Sequence, residues 1–401
     1  MHIWEQVEAA PVDSIFGLTE AFRQESNPRK VNLGVGVYKD DHGQTPVLQC
    51  VKEAEKLLLE QQTSKSYLPI GGDPLYAECV QKLIFGEKSE AILSSRAVTI
   101  HAPGGTGALR VGAELFKKIM PEAKLWVSMP TWANHKGVFG DVGFVLEQYP
   151  YYDDSTKGLD FAALEECLEN VAKGDVVLLH ACCHNPSGVD LNREQWQRVS
   201  EIARQKGWLP FLDFAYQGFS KGIEEDRYAV EVMVEAGIDF VVASSFSKNF
   251  GLYNERTGAL TVVAPTNQEA DVALSHLKKT VRVLYSNPPA HGGLIVATVL
   301  SDSELYQQWV KELDEMRRRI AGMRTSLVNG LASRYNGADF SFIKEQCGMF
   351  SFSGLDDNMV AWLRREKAIY VVGGGRINMA GLTSSNVEYV CDSIAEGLKE
   401  S

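Results

Sequence analysis

The sequence predicts an α/β fold built around a mostly parallel β-sheet. The middle of the chain alternates between short apolar runs and longer segments with helical spacing, and this alternation is typical of parallel sheets covered by helices. The apolar runs are continuous rather than alternating, which indicates strands buried on both faces. Strands are predicted at 98–101, 125–128, 176–180, 209–214, 240–243 and 259–263.

The segments between these runs carry the pattern of amphipathic helices. Parallel strands need a crossover connection, which is usually a helix. The first segment follows a glycine-rich turn, and the last ends at Gly237, a residue type that commonly terminates helices. Helices are predicted at 106–120, 160–172, 193–206 and 226–236.

The last quarter of the chain has a different organisation. Residues 302–334 contain no proline and read as one long amphipathic helix. Two short apolar runs follow, at 340–343 and 349–352, and they predict short strands before further helix. We therefore expect the long helix to lead from the α/β unit into a smaller α+β domain.

Composition excludes several classes of partner. The chain has 401 residues and a formal net charge of −12, whereas nucleic acids and anionic membranes select basic surfaces. No apolar stretch approaches the ~20 residues of a membrane span, and the first residues lack the pattern of a secretory signal. Seven cysteines without a C-x-x-C pair indicate free thiols in a reducing compartment. The sequence predicts a cytoplasmic protein with small-molecule ligands and neither nucleic-acid nor membrane partners.

A glycine-rich segment, 104–107 (GGTG), lies between a predicted strand and a predicted helix. Glycines allow the backbone to approach an anion, and a helix N-terminus offers free N–H groups and a positive dipole. Arg110 stands where a dinucleotide fingerprint needs its third glycine. The segment therefore predicts either a phosphate site or only a tight turn.

Lys248 follows a predicted strand and is flanked by Ser245 and Ser247, with Arg256 eight residues later. Two hydroxyls and a guanidinium could hold a phosphate dianion beside the amine. A nearby cation lowers the pKa of an amine, which favours Schiff-base chemistry. The alternative is a solvated surface lysine.

Asp213 and Tyr216 end a very apolar strand. A carboxylate in such a place needs a cationic partner. Asp213 is thus either the cap of the next helix or the counter-ion of a pyridinium nitrogen. The segment that begins at Asn185 (NPSG) is, by itself, only a turn.

Three further segments match other motifs only in part. Residues 218–222 (GFSKG) resemble a serine-hydrolase elbow, but the serine lies several residues beyond its strand. Residues 245–248 (SFSK) match the S-x-x-K of penicillin-recognising enzymes, but the required K-T-G is absent. Residues 180–184 (HACCH) suggest a metal cluster, yet adjacent cysteines in a strand point to opposite faces. We interpret them as buried thiols in a strand and predict no metal.

Eight motifs occur together and in one order. They are 67–70 (YLPI), 104–107 (GGTG), 130–135 (PTWANH), 184–188 (HNPSG), 213–216 (DFAY), 245–251 (SFSKNFG), 282–289 (RVLYSNPP) and 375–378 (GRIN). This set resembles the class I, fold-type I aminotransferases that use pyridoxal 5′-phosphate (PLP), and within them the aspartate and aromatic amino-acid aminotransferases. The likeness extends from about residue 15 to 396.

The resemblance implies the PLP-dependent transferase fold of type I. A large PLP-binding domain, 46–315, would hold a mainly parallel seven-stranded sheet. A smaller α+β domain would combine 13–45 with 316–401, and residues 1–12 would form an N-terminal arm on a partner subunit. The molecule would be a homodimer in which each active site borrows residues from its neighbour.

The resemblance also implies three catalytic roles. Lys248 would carry PLP as an internal aldimine and later move the proton between the substrate Cα and the cofactor. Asp213 would pair with the protonated ring nitrogen, and His135 would orient Asp213. Tyr216 would contact the 3-oxygen of the ring together with Asn185.

The remaining cofactor contacts implied by the resemblance surround the ring and its phosphate. Trp132 would stack on the ring face, and Tyr67 would reach the phosphate from the partner subunit. The other phosphate ligands would be Gly105, Thr106, Ser245, Ser247 and Arg256.

Two arginines define the substrate that the resemblance implies. Arg376 would bind the α-carboxylate, close to Gly36, Asn185 and Trp132, and Arg282 of the partner subunit would bind a second carboxylate. The expected reaction is a ping-pong exchange between L-aspartate and 2-oxoglutarate. The alternative is an aromatic or dual-specificity aminotransferase, because Ser66 replaces the asparagine expected beside Tyr67.

Two rival functions share the same scaffold. A β-decarboxylating or β-eliminating lyase would use the same lysine and aspartate, and its amino-acid product would distinguish it. An interaction protein that retains the fold would not need Lys248, Asp213, Tyr216 and Arg376 together.

Overall fold

The computed structural model describes residues 3–10 and 14–400, apart from the side chains at 3, 6 and 14–16. The predicted arm, 1–12, therefore lies partly outside the described residues. Within it, Ile3–Gln6 form a short 3-10 helix.

Within residues 3–10 and 14–400 the chain forms one large sheet and three small ones. The strands are β1 (Val31–Asn32), β2 (Ala97–Pro103), β3 (Lys124–Met129), β4 (Val145–Pro150), β5 (Tyr152–Asp153), β6 (Gly158–Leu159), β7 (Val176–His180), β8 (Leu209–Phe214), β9 (Phe240–Ser245), β10 (Thr257–Val263), β11 (Phe350–Phe352), β12 (Ile369–Tyr370) and β13 (Arg376–Asn378).

Helices cover both faces of the large sheet and build the remainder of the molecule. They are α1 (Ser14–Gln24), α2 (Gln49–Gln61), α3 (Pro74–Phe85), α4 (Glu90–Leu93), α5 (Gly104–Ile119), α6 (Asn134–Gly140), α7 (Phe161–Glu169), α8 (Arg193–Lys206), α9 (Tyr228–Glu235), α10 (Asn267–Leu284), α11 (Ala290–Ser301), α12 (Ser303–Ala332), α13 (Asp357–Lys367) and α14 (Val387–Glu400).

The predicted seven-stranded, mainly parallel sheet is confirmed. Its strand order is β2-β10-β9-β8-β7-β3-β4, and only β10 runs antiparallel to its neighbours. The six apolar runs predicted as strands between residues 98 and 263 all lie in this sheet. The sequence analysis did not predict β4. This strand lies at the edge of the sheet, is half exposed, and carries Glu147 and Gln148 in place of an apolar run.

The predicted helices are also confirmed, with small shifts at their ends. α8 has the predicted bounds because Asn192 and Gln195 form a capping box at its start and Gly207 ends it in the left-handed conformation. α12 is a single helix whose Asp302 side chain caps its first turn. α5 begins at Gly104, two residues before its predicted start.

The strand predicted at 340–343 is wrong. Ser341–Glu345 form a 3-10 helix, because the Asp339 carboxylate accepts hydrogen bonds from the amide and hydroxyl of Ser341 at 2.8 Å each. Such local bonds compete with strand pairing. The second predicted strand is present as β11, which pairs with β13 in antiparallel register.

The N-terminal segment joins the C-terminal part of the chain. β1 pairs with β12, and the side-chain amide of Asn378 donates to the carbonyls of Val35 at 2.6 Å and Val37 at 3.0 Å. The predicted domain limit at 315–316 falls inside α12, which crosses it without a break. Among residues 3–10 and 14–400, no helix combines the length and the apolar character that crossing a bilayer requires.

Candidate active site

The carboxyl ends of the parallel strands converge on one pocket, the place where open α/β sheets bind ligands. The empty space inside it, including the open mouth, is about 780 Å³. Most of the predicted site residues line it: Gly36, Gly105, Thr106, Trp132, Asn185, Asp213, Tyr216, Ser245, Ser247, Lys248, Arg256 and Arg376.

Lys248 lies in the turn that follows β9, at the base of the pocket. Burial lowers the pKa of its amine from 10.5 to about 8, with Asp213 opposing the change and Arg256 adding to it. The Nζ atom lies 4.7 Å from the centre of the Tyr216 ring. The amine is therefore neutral more readily than a surface lysine, which suits a nucleophile or a proton acceptor.

Asp213 ends β8 and is held by His135 from behind the pocket. His135 Nε2 is 3.0 Å from Asp213 Oδ2, and its Nδ1 is 2.8 Å from the Thr131 hydroxyl. Burial raises the pKa of Asp213, but the hydrogen bond from His135 and nearby positive charge, including that of Lys248, outweigh burial and hold the pKa below its usual value. Asp213 is thus a buried carboxylate, and His135 Nε2 is its hydrogen-bond donor.

Two more predicted residues flank Lys248 and Asp213. Burial and the charge of Asp213 raise the pKa of Tyr216, so its phenol stays protonated and can donate a hydrogen bond. Trp132 packs edge-on against the imidazole of His135, with ring centres 5.2 Å apart. The predicted ring-binding residues therefore surround the amine and the carboxylate.

An anion cradle lies at the N-terminus of α5. Arg256 Nη1 donates to the Ser247 hydroxyl at 3.3 Å, and the Ser247 amide donates to Ser245 Oγ at 3.3 Å. A Cβ atom at Gly104 would come within 2.5 Å of the Arg256 guanidinium, and one at Gly105 within 3.0 Å of Ser245 Cβ. Glycine at both positions lets the helix N-terminus, two hydroxyls and a guanidinium face one point, an arrangement that fits a phosphate.

Arg376 extends from β13 into the opposite side of the pocket. Its Nη2 donates to the Gly34 carbonyl at 2.7 Å and its Nη1 to Asn185 Oδ1 at 3.3 Å. Its Nε is buried without a hydrogen-bond partner, and no described carboxylate forms an ion pair with it. A buried guanidinium without an anion is costly, so this geometry points to a carboxylate on the ligand.

Phe350 completes the surroundings of Arg376 and was missed by the sequence analysis. Its ring centre lies 4.4 Å from Arg376 Cζ, and a Cβ atom at Gly36 would come within 2.7 Å of Phe350 Cζ. Leu109 and Ala215 also line the pocket unpredicted. Ala215 lies between two predicted residues and could have been included, whereas the position of Phe350 depends on the pairing of β11 with β13.

Three predicted residues do not line the pocket. His135 lies behind Asp213, as expected of a residue that orients it. Tyr67 is 92% exposed, and Arg282 is exposed with its Nη1 donating to the Ser286 hydroxyl at 2.6 Å. Both were expected to serve the partner subunit's site.

The pocket fits pyridoxal 5′-phosphate in three respects. The buried amine of Lys248 can attack an aldehyde, the carboxylate of Asp213 can pair with a protonated ring nitrogen, and the cradle at Arg256 can hold the phosphate.

Comparison with known proteins agrees with this fit. The profile of the family "Aminotransferase class I and II" matches residues 28–394. The chain is 50% identical over 392 residues to the aspartate aminotransferase of Salmonella typhi, covering 98% of this chain and 99% of that one. It is 50% identical over 396 residues to the aspartate aminotransferase of Haemophilus influenzae, covering 99% and 100%.

A solved structure is similar over the whole fold. The aromatic-amino-acid aminotransferase from Burkholderia pseudomallei, covalently bound to pyridoxal phosphate, superimposes with a TM-score of 0.97 at 47% identity, covering 99% of this chain and 100% of that one.

Proposed function

This chain belongs to the class I and II aminotransferases, and we propose that it exchanges the amino group of L-aspartate with 2-oxoglutarate by a ping-pong mechanism. The products are oxaloacetate and L-glutamate. The observation that carries the proposal is the buried guanidinium of Arg376, which lines the same pocket as Lys248 and has no hydrogen-bond partner at Nε. Aspartate aminotransferases at 50% identity over nearly the full chain support the choice of substrate.

The cofactor is pyridoxal 5′-phosphate. When bound, it supplies an aldehyde that takes the amino group and a ring that withdraws electrons from the substrate Cα. Asp213 would hold the proton on the ring nitrogen. The hydrogen bond from His135 keeps the Asp213 carboxylate ionised for this role. Asn185 and Tyr216 would bind the 3-oxygen, Trp132 would cover the ring, and Gly105, Thr106, Ser245, Ser247 and Arg256 would hold the phosphate.

Lys248 moves the proton that the reaction requires. Its amine would accept the proton from the substrate Cα and deliver it to the cofactor. Burial lowers the pKa of the amine to about 8, so a far larger fraction of it is neutral near physiological pH than in a surface lysine. No other described lysine lines the pocket.

Arg376 binds the α-carboxylate of each substrate. Its guanidinium lines the pocket, where Nη2 donates to the Gly34 carbonyl and Nη1 to Asn185 Oδ1, while Nε has no hydrogen-bond partner. A guanidinium held in this way can bind a planar carboxylate. Gly36 lets the backbone pass close to Phe350 on the same side. We propose that a small domain of 13–45 and 316–401 closes on the large domain, 46–315, and excludes water.

A second carboxylate needs a cation that this chain does not place in its own pocket. The described cations that line the pocket are Lys248, Arg256 and Arg376, and each already has a role. We propose a homodimer in which the partner subunit's Arg282 binds the distal carboxylate and the partner's Tyr67 reaches the phosphate. The exposure of Tyr67 at 92% and of Val283, which follows Arg282 in the chain, at 76% supports a subunit contact at both segments.

The proposal also covers the N-terminal arm and the cellular location of the protein. Trp4 is 81% exposed, and we propose that residues 1–12 pack on the partner subunit. The seven cysteines are free, which supports action in the cytoplasm, where thiols stay reduced.

Substrate preference tests the proposed function. We expect kcat/KM for L-aspartate to exceed that for L-phenylalanine by at least about tenfold. Arg282→Ala removes the partner of the distal carboxylate and should lower kcat/KM for aspartate by about 100-fold, from the 2–5 kcal/mol of a truncated charge pair. The kcat/KM for phenylalanine, which has no second carboxylate, should change by less than about threefold.

The matched control is Lys279→Ala, which removes an exposed cation from the same helix. It should leave kcat/KM for both substrates unchanged. Equal rates for aspartate and phenylalanine in the unaltered protein would replace the proposal by the aromatic or dual-specificity alternative.

Mixed dimers test whether active sites are shared. Lys248→Ala and Arg282→Ala each inactivate the homodimer toward aspartate. In a hybrid, the site with an intact Lys248 receives an intact Arg282 from its partner. Random reassortment makes half the dimers hybrids with one working site, so about a quarter of the unaltered activity should return. Arg282 acting within its own chain would give no recovery on mixing.

A further inference from the structure

A cluster of two thiols and a carboxylate lies outside the active site. Cys183 is in the loop after β7, Asp190 is at the end of the same loop, and Cys347 precedes β11. The two Sγ atoms and a carboxylate oxygen of Asp190 all lie within 4.8 Å of one another. The sequence analysis predicted buried thiols in a strand, but Cys182 and Cys183 follow the end of β7, and the fold brings Cys347 to them from more than 160 residues away.

Short hydrogen bonds hold the cluster in place before any ligand arrives. The Cys347 thiol donates to Asp190 Oδ2 at 3.0 Å, and the amides of Cys183 and His184 donate to the same carboxylate at 2.7 and 2.8 Å. The Cys347 amide donates to the Gly188 carbonyl at 2.7 Å. Both backbone segments are thus fixed, so the three donor atoms need little rearrangement to share one ion.

Contact with Cys183 and burial raise the pKa of the Cys347 thiol, and burial raises that of Cys183, so both thiols stay protonated until a cation binds. Arg324 is buried, and its guanidinium donates to the Gly348 carbonyl at 2.9 Å and the Ser351 hydroxyl at 3.2 Å, with no ion pair to a described carboxylate. Burial lowers the pKa of Arg324, and the nearby thiols Cys347 and Cys183 oppose that shift when ionised. Two thiolates and one carboxylate would be neutralised by a divalent cation together with this guanidinium.

Two neighbouring clusters do not offer the same site. Cys182, Cys183 and Asp226 are also close, but the Asp226 carboxylate accepts hydrogen bonds from four backbone amides, at Gly218, Ser220, Lys221 and Gly222. Its lone pairs are therefore occupied. The cluster of His135, His180 and Asp213 includes the hydrogen-bonded pair of His135 and Asp213 that belongs to the cofactor site already described.

We propose that Cys183, Cys347 and Asp190 bind one thiophilic divalent cation, Zn²⁺ or an ion of the same class. Zinc accepts thiolate sulfur at about 2.3 Å and carboxylate oxygen at about 2.0–2.2 Å, which three atoms within 4.8 Å of one another can satisfy. Binding releases the two thiol protons to solvent, and water fills the fourth position on the side of Cys347, the more exposed thiol.

Occupation of this site would join two parts of the active-site wall. His184 and Asn185 directly follow Cys183, and Phe350 lies three residues after Cys347. The ion would tie the loop that carries Asn185 to the strand that carries Phe350.

Cadmium is the probe for this site, because thiolate-to-cadmium charge transfer gives an ultraviolet band that carboxylate or imidazole ligands do not. The reduced, metal-free holoenzyme is titrated with Cd²⁺, and the bound ion is counted after gel filtration. We expect one Cd²⁺ per chain with the thiolate band. Cys347→Ser should abolish most of the band and weaken binding by more than about tenfold.

Cys167→Ser is the matched control, since Cys167 is also a partly exposed free thiol but lies in α7, and it should bind like the unaltered protein. A second measurement needs no variant: Cd²⁺ should protect Cys347, and not Cys167, from alkylation by iodoacetamide. Absence of the band in the unaltered protein, its persistence in Cys347→Ser, or alkylation of Cys347 at an unchanged rate would overturn the proposal.

Discussion

Replacing Lys248 with alanine lowers kcat for aspartate by about 10⁴-fold or more. General acid–base catalysis by one positioned group contributes about 10²–10⁴-fold, and this lysine also makes the covalent link to the cofactor. The pocket contains no second described lysine that could replace it. Steady-state assays with saturating aspartate and 2-oxoglutarate measure the loss, and denaturing mass spectrometry after borohydride reduction checks that the cofactor is no longer attached.

Lys206→Ala serves as the control. Lys206 is an exposed residue at the last turn of α8, so activity and cofactor attachment should match those of the unaltered protein. A Lys248→Ala protein that retains more than about a hundredth of kcat would contradict the role given to this residue.

Replacing Arg376 with alanine lowers kcat/KM by about 10²- to 4 × 10³-fold for every substrate. The estimate follows from the 3–5 kcal/mol lost when one partner of a buried charge pair is removed, at about 1.4 kcal/mol per tenfold. The kcat/KM values for aspartate, glutamate and phenylalanine should fall by similar factors, because all three substrates present an α-carboxylate to the same guanidinium. Arg376→Lys retains the charge but loses the two-pronged geometry and should recover only part of the loss.

This uniform loss separates Arg376 from Arg282, whose removal should affect dicarboxylates alone. Arg365→Ala, at an exposed position of α13, is the control and should be neutral. Thermal unfolding of Arg376→Ala needs to be followed in parallel, because the side chain also binds the Gly34 carbonyl. A loss confined to aspartate would mean that Arg376 binds the distal carboxylate.

Much of the fold could be predicted because its signals are local. Continuous apolar runs gave six of the seven strands of the large sheet, and the capping residues of α8 and α12 lie next to the helices they begin. The edge strand β4 lacks an apolar run because one side of it faces water, and the turn at Asp339 competes with a strand through side-chain hydrogen bonds.

The candidate site was predictable where its residues lie in compact motifs. Lys248 and Asp213 stand at the ends of predicted strands beside residues of matching chemistry. Phe350 and the approach of Cys347 to Asp190 depend on how distant segments pack, which no local pattern reports. The contributions of Tyr67 and Arg282 depend on a second subunit, so neither periodicity nor the geometry of one chain determines them.

The most direct test of aspartate transamination is one half-reaction without an acceptor. The PLP-loaded protein is mixed with L-aspartate alone, and the cofactor spectrum and the released product are measured together. We predict conversion of the cofactor to its pyridoxamine form with about one oxaloacetate per site, since a ping-pong enzyme stops after one transfer. A cofactor spectrum that does not convert, or continuous release of alanine and carbon dioxide, would contradict transamination and support the lyase alternative.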